Sequence, residues 1–122
     1  MPDSNGNSWY NDSPGFGNVE SFITDELRKD VETNFRTLTS RNGRAIIGLS
    51  MGGYGALHLA TEHNELFCAA ASLSGAVGWG TATFDKNLLT MAKDLYPTET
   101  ESNYSKDALL PSVLKHLKNG TY

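Results

Sequence analysis

The chain has 122 residues, 39% of them hydrophobic, and a formal net charge of −4 at pH 7. This length suits one globular domain, and mild acidity without a lysine or arginine cluster argues against a nucleic-acid partner. No apolar run approaches the roughly 20 residues of a membrane span, and a single cysteine excludes an internal disulfide.

The N-terminus lacks the basic-then-apolar pattern of a signal peptide, which leaves the compartment open with a lean toward the cytoplasm. Residues 1–18 are rich in Gly, Asn, Ser, Asp and Pro and read as irregular loop. Trp9, Tyr10 and Phe16 are unusual in such a segment. They either cover part of the core or, for Trp9 and Tyr10, line a pocket for an acyl or alcohol group. Residues 19–35 read as an amphipathic helix. Val19, Phe22, Ile23, Leu27, Val31 and Phe35 share one face, and Asp25, Glu26, Arg28, Lys29 and Glu32 fall largely elsewhere. Residues 37–43 form a polar connection ending in an Asn42-Gly43 turn signal.

Residues 44–49 are apolar and partly β-branched, as expected of a parallel strand covered on both faces. A helix follows over 52–63, and a second apolar run, 67–73, fits another short parallel strand in which Cys68 is a small core residue. Strand, helix and strand in this order predict an α/β fold, a parallel sheet with flanking helices joined by a right-handed crossover. Ser72, Ser74 and Gly75 then end the second strand on the sheet edge that carries Ser50. Residues 75–82 form a glycine-rich loop in which Trp79 is a second pocket candidate or a hydrophobic plug. Helical spacing returns over 84–95 and 105–117, and neither an internal repeat nor a domain boundary is visible.

The chemistry centres on Gly48-Leu49-Ser50-Met51-Gly52. Glycines two residues either side of a serine let a strand turn straight into a helix and lift the hydroxyl above the sheet edge. Side chains at Gly48 and Gly52 would crowd that turn. The helix N-terminus behind the serine offers free N–H groups to a developing oxyanion, that of Met51 first. The plain alternative is a turn holding a small polar residue. A strand directly before and a helix directly after favour the nucleophile. His58 and His63 are five apart, without paired ligand spacing, so no metal is expected. No G-x-G-x-x-G fingerprint follows a strand, so no dinucleotide or other cofactor is expected either.

These words, together with Met1-Pro2-Asp3, Ser8-Trp9-Tyr10 and Ala69-Ala70-Ala71-Ser72-Leu73-Ser74-Gly75, resemble the esterase D family of α/β-hydrolases. That branch includes tributyrin, feruloyl and acetylxylan esterases and S-formylglutathione hydrolases. The resemblance implies a serine carboxylic-ester hydrolase with Ser50 as nucleophile and Met51 in the oxyanion hole, acting on a small-molecule or carbohydrate-linked ester. A thioesterase for S-formylglutathione and a non-catalytic binding module are the alternatives. It also implies an acid and a histidine on loops after later strands, which 1–122 does not display. His58 and His63 lie on or at the end of the elbow helix, and His116 reads as a helix-surface residue although Asp94 and Asp107 precede it. The chain is therefore expected to be a single partial domain, without the N-terminal strands and the C-terminal part carrying the acid and base. Such a piece should fold marginally and associate with itself through open strand edges.

Overall fold

A computed structural model describes residues 2–75 of the chain. Strands β1 (Asp12–Ser13) and β2 (Gly17–Asn18) pair antiparallel, with Asp12 opposite Asn18 and Ser13 opposite Gly17. The segment expected as irregular loop thus holds a tight ribbon, in which the Phe16 N–H donates to the Ser13 carbonyl at 3.3 Å. Asp12 reaches beyond it: its carboxylate accepts from the Ser21 N–H at 3.0 Å and from the Ser21 hydroxyl. This satisfies a donor at the start of the following helix, whose N-cap residue Asn18 makes no side-chain capping bond.

The expected helix over 19–35 is present in three parts: α1 (Val19–Ser21), a π-helical stretch (Phe22–Leu27) and α2 (Arg28–Asn34). The π stretch takes one more residue per hydrogen-bonded turn and so breaks the 3.6-residue register. Val19 and Ile23 are buried as expected, and Thr24 is buried beside them. Phe22, Val31 and Phe35 are exposed, contrary to the reading of a continuous apolar face. Side chains tie the altered turns: the Thr24 hydroxyl donates to the Glu20 carbonyl at 2.9 Å, and Arg28 Nε to the Thr24 carbonyl at 2.8 Å.

After a single 3-10 turn (Arg41–Gly43), β3 (Ala45–Leu49), α3 (Met51–Glu62) and β4 (Ala69–Leu73) form the expected strand–helix–strand unit. The strands are parallel and in register from Ala45 opposite Ala69 to Leu49 opposite Leu73. Arg44, just before β3, gathers the neighbouring backbone. It pairs with Glu32 at 2.6 Å and donates to the Leu66 carbonyl at 2.8 Å and to the Thr39 carbonyl.

Helix α3 packs against both strands and is buried over much of its circumference, with Gly53, Tyr54, Gly55, Ala56, Leu59, Ala60 and Thr61 all inside. A helix apolar nearly all round belongs in an interior. Val19, Ile23 and Leu59 form the core, with Tyr10, Ile46 and Phe67 packed on it.

Two further expectations are corrected. Cys68 is exposed, its thiol against the Asn42 and Arg44 carbonyls rather than in the core. The sheet is covered by α3 on one face only among the described residues: Ile47, Leu49 and Leu73, on the other, are 68%, 67% and 52% exposed. The glycine-rich loop with Trp79, the helices expected over 84–95 and 105–117, and Asp94, Asp107 and His116 lie outside the described residues.

Candidate active site

Ser50 sits between the end of β3 and the first residue of α3, exposed, with φ +56° and ψ −120°. A serine holds a left-handed φ only where its surroundings fix it, at about 1–3 kcal/mol. Two backbone bonds do so here. The Ser50 N–H donates to the Leu73 carbonyl at the end of β4 (2.8 Å), and the Ser50 carbonyl accepts the first helical bond from Tyr54 N–H (3.1 Å). The hydroxyl-bearing residue is thus pinned to the neighbouring strand and the helix together.

The flanking glycines are not equivalent. A Cβ at Gly48 would overlap the Gly52 carbonyl and lie 2.8 Å from the Gly53 nitrogen, so the strand end and the helix start approach as closely as backbone allows. A Cβ at Gly52 would meet only the Tyr10 hydroxyl, at 3.6 Å, an ordinary contact. The expected crowding therefore falls on Gly48 alone. Met51 opens α3, so its N–H is among the first four, which find no acceptor inside the helix.

The two N-terminal aromatics part company. Trp9 is buried at 8% exposure, its ring edge-on to Tyr54 with centroids 5.5 Å apart. That burial fits the core-cover reading of Trp9. Tyr10 is half-buried and lies along α3 over Gly55. The small residue at 55 thus makes room for a ring.

His58 and His63 face away from this chemistry. Both point Nε2 at Glu20, at 2.9 and 2.7 Å, each taking one carboxylate oxygen, and the His58 ring stacks on Tyr54. Burial pushes the Glu20 carboxyl up, but the hydrogen bonds and charges of His58 and then His63 outweigh it and hold it below the ordinary value. His58 is eight residues into α3 from Ser50, about 12 Å along the axis. The sequence offered only a faint sign of this junction, one acidic residue at a helix start and two histidines on a later helix. Among the described residues no three histidine, cysteine or acidic side chains are arranged to hold a metal ion.

On β4, the Ser72 hydroxyl is buried without a hydrogen-bond partner among the described residues, and a Cβ at Gly53 would stand 2.8 Å from it. Ser74, just past β4, also has a left-handed φ, +50°, and is exposed near Ser50.

A parallel strand, a serine at positive φ, a helix and a second parallel strand, in this order, are an arrangement found in α/β-hydrolases, and the chain has that fold. A solved ferulic acid esterase superimposes with a TM-score of 0.57 at 22% identity, over 93% of this chain and 53% of that one. The sequence model of the family described as "Putative esterase" matches residues 3–114. The chain belongs to this esterase family. It is 40% identical over 79 residues to Esterase Rv1288 of Mycobacterium tuberculosis (strain ATCC 25618 / H37Rv), covering 62% of this chain and 17% of that protein. It is 41% identical over 83 residues to the diacylglycerol acyltransferase/mycolyltransferase Ag85B of Mycobacterium leprae (strain TN), covering 61% and 25%. The chain thus corresponds to a sixth to a quarter of the length of these curated relatives.

Proposed function

We propose that the chain carries the nucleophilic part of a serine ester hydrolase. Ser50 attacks the ester carbonyl, the alcohol leaves, and water releases the acid from the acyl-serine. The observation that carries this reading is the exposed Ser50 at φ +56°, pinned between β4 and α3. The Met51 N–H and the positive end of α3 face the oxyanion that forms there. Short-chain, acetyl or feruloyl esters are the substrate class, and the relatives named as esterases support hydrolysis in general.

A serine hydroxyl needs a base; His58 lies about 12 Å along α3 from Ser50, His63 lies farther on at the end of that helix, and both turn Nε2 to Glu20. We infer that the base and its acid partner come from a longer protein of which this chain is a piece, and not from residues 1–122. A second reading has support in the relatives named as acyltransferases: the same acyl-serine passes its acyl group to an alcohol instead of water.

The test is p-nitrophenyl acetate and butyrate hydrolysis beside Ser50→Ala, with and without added acceptor alcohols. In the protein carrying its acid and base, Ser50→Ala abolishes turnover, and an acceptor that diverts product from acid to ester selects the transferase reading. For residues 1–122 alone, turnover that depends on Ser50 would overturn the inference of an external base and point to His116. Turnover unaffected by Ser50→Ala in the longer protein would sink the nucleophile assignment.

A further inference from the structure

We propose that Tyr10 is a positioning residue for the elbow: its ring braces the first turns of α3 and thereby fixes Ser50 and the Met51 N–H for acyl transfer. The proposal rests on the reading of Ser50 as nucleophile.

The contact is specific in place. A Cβ at Gly55 would lie 2.6 Å from Tyr10 Cγ and 3.0 Å from Tyr10 Cβ, so the ring seats directly on the helix backbone. Its hydroxyl ends beside Gly52, where a Cβ would be 3.6 Å away. Gly52 and Gly55 are three residues apart, about 4.5 Å of helix rise, roughly the span of a phenol ring with its oxygen. Tyr10 therefore lies along the turn that follows Ser50, and its inner side packs on the Val19, Ile23 and Leu59 core.

The backbone beneath Tyr10 is held where few residues go. Trp9 and Tyr10 have φ of +55° and +62°, consecutive left-handed conformations in two bulky residues. Buried hydrogen bonds lock them in. The Tyr10 N–H donates to Ser8 Oγ at 3.1 Å, the Asn11 N–H to the Ser8 carbonyl at 3.1 Å, and Asn11 Nδ2 to the Trp9 carbonyl at 3.0 Å. Ser8 Oγ in turn donates to the Ser4 carbonyl, and Ser8 is wholly buried. The outcome is that two successive rings meet two successive helix residues, Trp9 on Tyr54 and Tyr10 on Gly55. Strain of this kind survives only where surrounding contacts over-determine it, and it clusters at functional sites. The half-buried Tyr10, ending at the residue after Met51, is placed to govern the geometry of the turn.

The experiment uses the longer protein that carries the acid and base, with Tyr10→Phe, Tyr10→Leu, Tyr10→Ala and a core control, Leu59→Ala. A fluorophosphonate probe labels Ser50, and the concentration dependence separates probe binding from the phosphonylation rate. Thermal melts and amide exchange over residues 51–55 accompany each variant. Tyr10→Phe is expected to label within about twofold of wild type. Tyr10→Ala, or Tyr10→Leu if alanine does not fold, is expected to lose phosphonylation rate by about 10- to 100-fold at unchanged probe binding, with protection lost at 51–55. Leu59→Ala, destabilised as much or more, should keep its rate. A folded Tyr10→Leu with wild-type rate and protection overturns the proposal, as does an equal rate loss in Leu59→Ala. If the wild-type longer protein does not label at all, the Ser50 reading has failed, and exchange alone decides the brace: lost protection supports it, unchanged protection overturns it.

Discussion

At the scale of single residues, the close approach at Gly48 fixes where the strand ends and the helix begins. Gly48→Ala would drive a methyl into the Gly52 carbonyl, and overpacking of this kind costs about 1–3 kcal/mol. The expected result in a urea titration is a midpoint lowered accordingly, with Gly52→Ala losing clearly less. Ser72 points the other way. Its buried hydroxyl lacks a partner among the described residues, and such a group costs about 1–3 kcal/mol. Ser72→Ala should therefore match or exceed wild-type stability, by up to about 1 kcal/mol once the small void is counted; a loss above that figure would reveal a partner. The serine turn was legible because its glycine spacing states a steric demand directly. The left-handed Trp9 and Tyr10 were not, because nothing in an aromatic dipeptide announces a positive φ. Only the Ser8 and Asn11 bonds, made after the loop closes, hold it.

At the scale of elements, the N-terminal helix is joined to α3 through Glu20. One carboxylate takes both His58 and His63, and the Glu20 carboxyl is held below its ordinary value. A carboxyl whose pKa is lower folded than unfolded contributes stability that is complete above the unfolded pKa, about 4.3 for glutamate, and is lost as pH falls through the folded value. Denaturation followed from pH 6 to pH 3 should show this loss beginning below about pH 4.5. Glu20→Gln should flatten that limb while lowering stability at pH 6 by about 1–2 kcal/mol, a figure reduced for the junction's partial solvent exposure. An unchanged acid limb in the variant would show that the junction carries no linkage. The helix itself was legible from its periodicity, but its apolar face was misread at Phe22 and Val31. The 3.6-residue rule assumes a regular helix, and the π stretch over Phe22–Leu27 leaves Phe22 and Val31 outside.

At the scale of the whole molecule, the strand–helix–strand order and the fold class were readable because two apolar runs flank a helix of suitable length. Coverage of the sheet was not readable, because a strand's own sequence states that it seeks cover and not what supplies it. Ala45, Ile47 and Leu49 lie opposite Ala69, Ala71 and Leu73 on the face away from α3, all exposed. An apolar face of a parallel pair is a face suited to burial, which agrees with a match spanning well under half the length of its curated relatives. Among the described residues nothing covers this face, and left so it should bind a hydrophobic dye and draw copies of the chain together. Light scattering on residues 1–122 is expected to show concentration-dependent association, relieved in an Ile47→Lys, Leu49→Lys variant that leaves the α3 face untouched. In the longer protein the same two lysines should instead destabilise, because charged side chains would replace apolar ones on a covered face. Relief in the piece and damage in the whole would together identify this face as the seam where the rest of the domain packs. Tolerance in both would place the missing cover elsewhere.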